Sequence, residues 1–212
     1  MPPDVPPTEK AQASHLPWFT LVAAVLAVVA WFVSGSFDTL DYDRNKILGG
    51  QLWRIVTGHW VHFSGSHLFW NLAVLLPAGI WLERRNSCAL RWTLVSSPLA
   101  ISLALLAFDP SLAVYAGISG VASGALVALV VNGLRTQPTV RLWWLAALLL
   151  FTGKVAIEAR NGGRPLNPEL VALGVRSVPL AHLVGAAVGA GTALLCANPK
   201  TRRGGRGGPP ST

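Results

Sequence analysis

Charged side chains are scarce in this sequence, and acidic side chains are the scarcest of them. Of its 212 residues, 12% are charged, 52% are hydrophobic, and only 9 are Asp or Glu. A soluble domain of this length carries more polar surface, so the composition indicates a membrane protein. The basic residues lie between apolar runs and not on one face with interleaved aromatics, so we predict no nucleic-acid partner.

Cysteine is also rare, because Cys88 and Cys196 are the only two in the chain. Two thiols form at most one bridge. The sequence therefore has no disulfide framework of the kind that stabilises small secreted domains.

Six apolar runs approach the roughly 20 residues that a helix needs to cross a membrane. Several are short, which snorkelling flanks or local thinning of the bilayer would accommodate. The sequence therefore predicts an all-α, polytopic membrane protein, a bundle of six transmembrane helices surrounded by lipid. The predicted spans are residues 18–33, 67–82, 92–108, 118–134, 142–157 and 178–197.

The distribution of Lys and Arg predicts the orientation of these spans. The two short connections and the tail hold most of the basic residues, and cytoplasmic segments carry such an excess. We expect a disordered leader at residues 1–16, a membrane domain at 17–198 and a disordered basic tail at 199–212, with both termini in the cytoplasm and the protein in the inner (plasma) membrane. Cys88 and Cys196 then lie at cytoplasmic span ends, where thiols stay reduced.

Three reactive side chains share the outer end of the predicted bundle. His67, Ser119 and His182 each lie near the outer start of a span, within roughly one or two helical turns of the same boundary. Ionisable residues inside a membrane are functional hypotheses by default. The three residues therefore indicate a nucleophile with two imidazoles, although Ser119 alone could bond to its own helix.

Glycines at four-residue spacing follow both the serine and the second histidine. Such spacing lets helix backbones approach closely. If the fourth and sixth spans pack through these grooves, Ser119 and His182 come within hydrogen-bond reach. The glycines are Gly120, Gly124, Gly185 and Gly189.

Asn71 lies four residues after His67, so the two side chains share one helix face. Both can donate to an oxygen that becomes negative in a tetrahedral intermediate. The helix start at Ser119 adds a free backbone N–H and positive potential. The alternative is an Asn–His pair that only bridges helices.

These residues resemble the rhomboid family of intramembrane serine proteases, and the similarity spans most of the chain. Gly117 to Gly120 reads Gly-Ile-Ser-Gly and matches the family's G-x-S-G. Residues 181–189 match A-H-x-x-G-x-x-x-G, and residues 67–71 match H-x-x-x-N. Residues 53–54 resemble the Trp-Arg pair of the first loop.

The resemblance implies a six-helix fold with a Ser119–His182 dyad that cleaves membrane-anchored protein substrates without a cofactor. His67, Asn71 and the Ser119 backbone N–H would hold the oxyanion. The active site would open to the extracytoplasmic side, and the fifth span would form a lateral gate.

One departure from the family pattern lies a turn after the nucleophile, where many rhomboids carry an aromatic residue and this chain has Ser123. The small size of the chain and its Tyr115-Ala116-Gly117 resemble the rhombosortase branch. The suggested substrates of that branch are secreted or surface proteins with C-terminal Gly-Gly tails. Lys154 and Glu158 also resemble that branch, and they form either a snorkelling ion pair or a gate or substrate-tail contact.

Three other interpretations compete with a serine protease. A metal site made from His59, His62, His67 and His182 would lack the His-Glu-x-x-His motif of zinc proteases, so we predict no metal. A catalytically inactive rhomboid-like binder of transmembrane segments is disfavoured by the intact candidate residues. A transporter would place its polar groups at mid-membrane, whereas here they gather at the outer end.

Overall fold

A computed structural model describes residues 16–33 and 35–197. The predicted leader at 1–16 and tail at 199–212 lie outside the described residues, except for Leu16. Within the described residues, the α-helices are Trp18–Phe32 (α1), Ser36–Leu40 (α2), Arg44–Leu48 (α3), Arg54–Thr57 (α4), Gly65–Phe108 (α5), Ser119–Thr136 (α6), Arg141–Arg160 (α7), Pro168–Ala172 (α8) and Pro179–Leu195 (α9). Two short strands, Tyr42–Asp43 (β1) and Val114–Tyr115 (β2), pair antiparallel.

The second and third predicted spans form the two halves of α5, which a break at Asn86 separates. A straight helix of 44 residues would be about 66 Å long, twice the hydrocarbon core of a bilayer. Asn86 leaves helical geometry with φ −152° and ψ 73°. Its side-chain oxygen accepts from the Ala89 N–H at 3.1 Å and so caps the second half.

The helices confirm the predicted all-α membrane bundle. α5, α6 and the segment Pro138–Arg160 are each long and apolar enough to cross a membrane, and α1 and α9 are shorter apolar helices. With α5 counted as its two halves, these elements correspond to the six predicted spans. Most helix ends lie within a few residues of the predicted span ends.

α6 lies at the centre of the bundle and meets α9 with almost no side chain between their backbones. A Cβ added at Gly124 would lie 2.8 Å from the Gly185 carbonyl oxygen, and one at Gly120 would lie 3.0 Å from the Ala181 carbonyl oxygen. Any larger residue would separate the helices. The spacing of small residues therefore sets the distance between the helix that carries Ser119 and the helix that carries His182.

The connection between α1 and α5 is ordered around a buried guanidinium. Arg54 is buried, forms an ion pair with Asp41, and donates to the Asp38 carbonyl at 2.8 Å. Through the β1–β2 pair, in which Tyr42 faces Tyr115, this connection also holds the residues that precede α6.

The expectation that Cys88 and Cys196 remain reduced thiols is wrong, because a disulfide joins them. Their Cα atoms are 5.8 Å apart although 108 positions separate them in sequence. The proximity arises because α9 ends beside the break in α5, where Asn86 donates to the Cys196 carbonyl at 3.3 Å.

Candidate active site

A cavity of about 810 Å³ lies between α5, α6, α7 and α9. Its walls include Ser119, His182, His67 and Asn71, the residues that the sequence predicted as nucleophile, base and oxyanion donors. The fold therefore brings side chains from three separate helices to one cavity.

The segment before α6 aims the start of that helix at the cavity. Gly117 has φ 117°, in the left-handed region that favours glycine. A Cβ there would lie 2.7 Å from the His67 ring and 3.3 Å from Asn71 Nδ2, so a side chain would also fill the space beside these donors. Tyr115 donates to the Gly117 carbonyl at 3.1 Å and fixes the turn.

Asn71 and His67 line this cavity, and each carries a buried polar atom without a hydrogen-bond partner among the described residues. Asn71 is buried, and its Nδ2 has no hydrogen-bond acceptor among the described residues. His67 Nδ1 likewise lacks a partner within that part of the chain. Ser64 accepts from the His67 N–H at 3.2 Å and begins α5 there. A buried amide without a partner is costly, so Asn71 Nδ2 is a candidate donor to a ligand oxygen.

Ser123 orients the His182 imidazole from one side. Its hydroxyl donates to the Ser119 carbonyl at 2.8 Å, and its oxygen lies 3.1 Å from His182 Nδ1. Because the hydroxyl has one proton, the oxygen accepts from Nδ1–H. Nε2 then carries the lone pair, which is the tautomer that a general base of this kind needs. A hydroxyl thus positions the ring where many rhomboids use an aromatic residue.

Lys154 contacts the other ring nitrogen of His182. Its Nζ is 3.2 Å from Nε2 and 2.8 Å from Glu158 Oε2. Ser177 donates to the same carboxylate oxygen at 2.7 Å. No hydrogen bond joins the Ser119 hydroxyl to His182 in residues 16–33 and 35–197, although both line the cavity.

The connection after α7 covers the cavity and is tied to the start of α5. Glu169 accepts from Ser64 at 3.1 Å and also from Ser66, and Asn167 donates to Ser66 at 2.9 Å. The two serine hydroxyls hold the pKa of Glu169 below its usual range, so the carboxylate stays charged. These contacts join the start of α5 to the connection after α7 beside the cavity.

His62 supports the segment before the serine, a role that the sequence did not indicate. Its Nε2 accepts from the Ile118 N–H at 3.4 Å, and its Nδ1 lies 3.2 Å from the Trp60 carbonyl. Burial, with a smaller contribution from His67, lowers the pKa of His62 to about 3, so the ring is neutral. The described residues hold no group of three metal-ligating side chains.

The rhomboid domain matches residues 49–199 of the chain. The chain belongs to the rhomboid family. Rhomboids are intramembrane proteases that act on membrane-protein substrates, and the apolar helices identify this rhomboid as an integral membrane protein. No curated protein matches the chain. The matched segment contains α4 to α9 and thus every wall of the cavity, whereas α1 to α3 precede it.

Proposed function

We propose that this rhomboid is a serine endopeptidase that cleaves membrane-anchored proteins with Ser119 as nucleophile and His182 as base. One observation carries the proposal: Ser119, the His182 ring and Asn71, whose Nδ2 has no acceptor among the described residues, line a single cavity. A nucleophile, a base and an oxyanion donor are the groups that acyl transfer requires.

The reaction has two balanced steps. Ser119 Oγ attacks the carbonyl carbon of the scissile peptide while its proton passes to His182 Nε2. The oxyanion takes hydrogen bonds from the Ser119 N–H, His67 and Asn71. The C–N bond then breaks, and His182 returns the proton to the leaving amine. Water next attacks the Ser119 ester and gives a proton to His182. The bond between Ser119 Oγ and the acyl carbon then breaks, His182 returns the proton to Ser119 Oγ, and the carboxylic product leaves.

The orientation and the substrates extend this proposal. The excess of Lys and Arg in the short connections supports cytoplasmic termini in the inner membrane, with the cavity open to the extracytoplasmic side. The Cys88–Cys196 bridge would then require oxidation in a compartment that keeps thiols reduced. The resemblance of residues 115–117 to rhombosortases supports C-terminal Gly-Gly-type tails as the segments removed.

A fluorophosphonate probe tests the nucleophile directly. We expect the wild type to be labelled and the Ser119→Ala variant to remain unlabelled, because the probe reacts with an activated serine oxygen. Ser96→Ala is the matched control, since Ser96 is a half-buried helical serine that bonds to the Trp92 carbonyl and does not line the cavity. Labelling that persists in Ser119→Ala would rule out this serine, and an unlabelled wild type would favour the inactive binder of transmembrane segments.

Removal of the Asn71 amide tests the oxyanion donors. We expect Asn71→Ala to lower kcat by about 10²–10³ with little change in KM, because the amide would act on charge that develops after binding. Steady-state cleavage of a membrane-anchored reporter measures both constants. Asn45→Ala, at an exposed asparagine, should leave them unchanged, and a rise in KM alone at position 71 would contradict an oxyanion role.

A further inference from the structure

The proposed mechanism gives no role to Lys154, although its ammonium lies closer to His182 Nε2 than any other charged group of the described residues. Lys154 Nζ lies 3.2 Å from His182 Nε2, whereas Glu158 Oε2 lies 3.7 Å from the same nitrogen. Both side chains also line the cavity.

The direction of the Lys154–His182 hydrogen bond follows from the groups around it. An ammonium has donors and no acceptor, so Lys154 donates. His182 Nδ1 already donates to Ser123, which leaves the lone pair on Nε2. Lys154 therefore occupies the lone pair that must accept the Ser119 proton, and the ring cannot act as a base while this contact lasts.

Two further contacts hold the ammonium in place. Glu158 is 3% exposed and pairs with Lys154 at 2.8 Å. Ser177, in the connection after α7, donates to the same carboxylate at 2.7 Å. A buried carboxylate with these two partners fixes one end of the Lys154 head group beside Nε2.

The helix that carries Lys154 is nevertheless lightly packed. In α7, only Trp144, Val155 and Glu158 are buried. The Lys154 side chain is 39% exposed, so its head group can leave His182 without first crossing packed protein.

We infer that Lys154 is a displaceable lock on the base of the proposed dyad, held by Glu158 and released when a substrate segment fills the cavity beside α7. The inference rests on the proposed function. In the locked state, Nε2 is occupied and Ser119 is a weak nucleophile. In the released state, Nε2 accepts the Ser119 proton. Lys154 is thus a positioning residue that acts through His182.

The rate at which a fluorophosphonate labels Ser119 without substrate tests the lock. We expect Ser119 of Lys154→Met to be labelled about tenfold faster than that of the wild type. Without the charge-assisted hydrogen bond from Lys154, a larger fraction of molecules has a free His182 Nε2 lone pair. Methionine keeps the length and the apolar stem of the side chain, so access to the cavity changes little. Lys46→Met is the matched control: Lys46 is an exposed lysine paired with Asp43 at 3.3 Å, and its loss should not change the rate.

Two more variants separate a lock from a purely structural contact. Lys154→Arg keeps a cationic donor without an acceptor and should restore slow labelling. Glu158→Gln removes the charge that holds Lys154, so Ser119 should again be labelled faster. If thermal unfolding shows that Lys154→Met is not folded, Glu158→Gln provides the test instead. A structural role predicts that folded variants label at the wild-type rate or more slowly.

The outcomes distinguish the two proposals. If wild type is labelled at Ser119 and neither Lys154→Met nor Glu158→Gln is faster, the lock is wrong and the dyad stands. If wild type, Lys154→Met and Glu158→Gln all carry no label at Ser119, the proposed function fails and the lock fails with it. Faster labelling in Lys154→Met with slow labelling in Lys154→Arg supports both.

Discussion

Replacement of Ser119 by alanine is expected to abolish cleavage of a membrane-anchored reporter, and replacement of His182 is expected to do the same. The first change removes the attacking oxygen, and the second removes the imidazole that Ser123 holds in the tautomer with its lone pair on Nε2. In serine proteases, such losses cost on the order of 10⁴–10⁶ in kcat. Immunoblotting of the co-expressed reporter measures the cleaved fraction.

The double variant provides a sharper test than either single change. Residues that act as one unit give non-additive losses, so Ser119→Ala with His182→Ala should be no worse than either alone. Ser96→Ala should cleave like the wild type, and membrane fractionation should recover all variants equally. Cleavage that survives in Ser119→Ala would exclude the serine mechanism.

Replacement of Gly185 by alanine is expected to separate α9 from α6. A Cβ at this position would collide with the Gly120 carbonyl, and a backbone group cannot move without its helix. We expect the free energy of unfolding to fall by about 1–3 kcal/mol, the usual cost of overpacking. Activity should be lost as well, because His182 lies one turn before Gly185 and moves with it.

Gly191 is the matched control for this change because it lies in the same helix and a Cβ there would meet no atom within 4 Å. Alanine has a higher helix propensity than glycine by about 1 kcal/mol. Gly191→Ala should therefore leave stability unchanged or raise it, the opposite sign to Gly185→Ala. Thermal unfolding in detergent compares the two, and equal shifts would show that the close approach of α6 and α9 is unimportant.

The membrane helices could be predicted from the sequence because a run of apolar residues along the chain is enough to indicate each one. The predicted span at 118–134 corresponds to Ser119–Thr136, and that at 142–157 corresponds to Arg141–Arg160. A stretch of apolar residues must satisfy its backbone within itself in lipid, so hydropathy alone indicates a helix. The four-residue glycine spacing also indicated which faces approach closely.

The contacts between helices were less accessible, because they depend on the rotation of each helix about its axis. The absence of the aromatic residue at Ser123 predicts only that the imidazole is positioned differently, whereas the structure places the Ser123 oxygen 3.1 Å from His182 Nδ1, across the contact between α6 and α9. Four-residue spacing predicts the Lys154–Glu158 pair, and the sequence leaves a gate or substrate-tail contact open, whereas the contact of Lys154 with His182 spans 28 positions. The Cys88–Cys196 bridge depends in the same way on where two distant helices end.

The buried Arg54 lies inside the segment that matches the rhomboid domain, whereas the carboxylate with which it pairs lies outside that segment. The match begins at residue 49, whereas Asp41, which pairs with Arg54, precedes it. An unpaired charge in a site that is only 3% exposed would cost several kcal/mol. A fragment limited to the matched residues 49–199 would therefore leave the Arg54 guanidinium without its partner. A fragment that folds with this buried charge paired must also include Asp41.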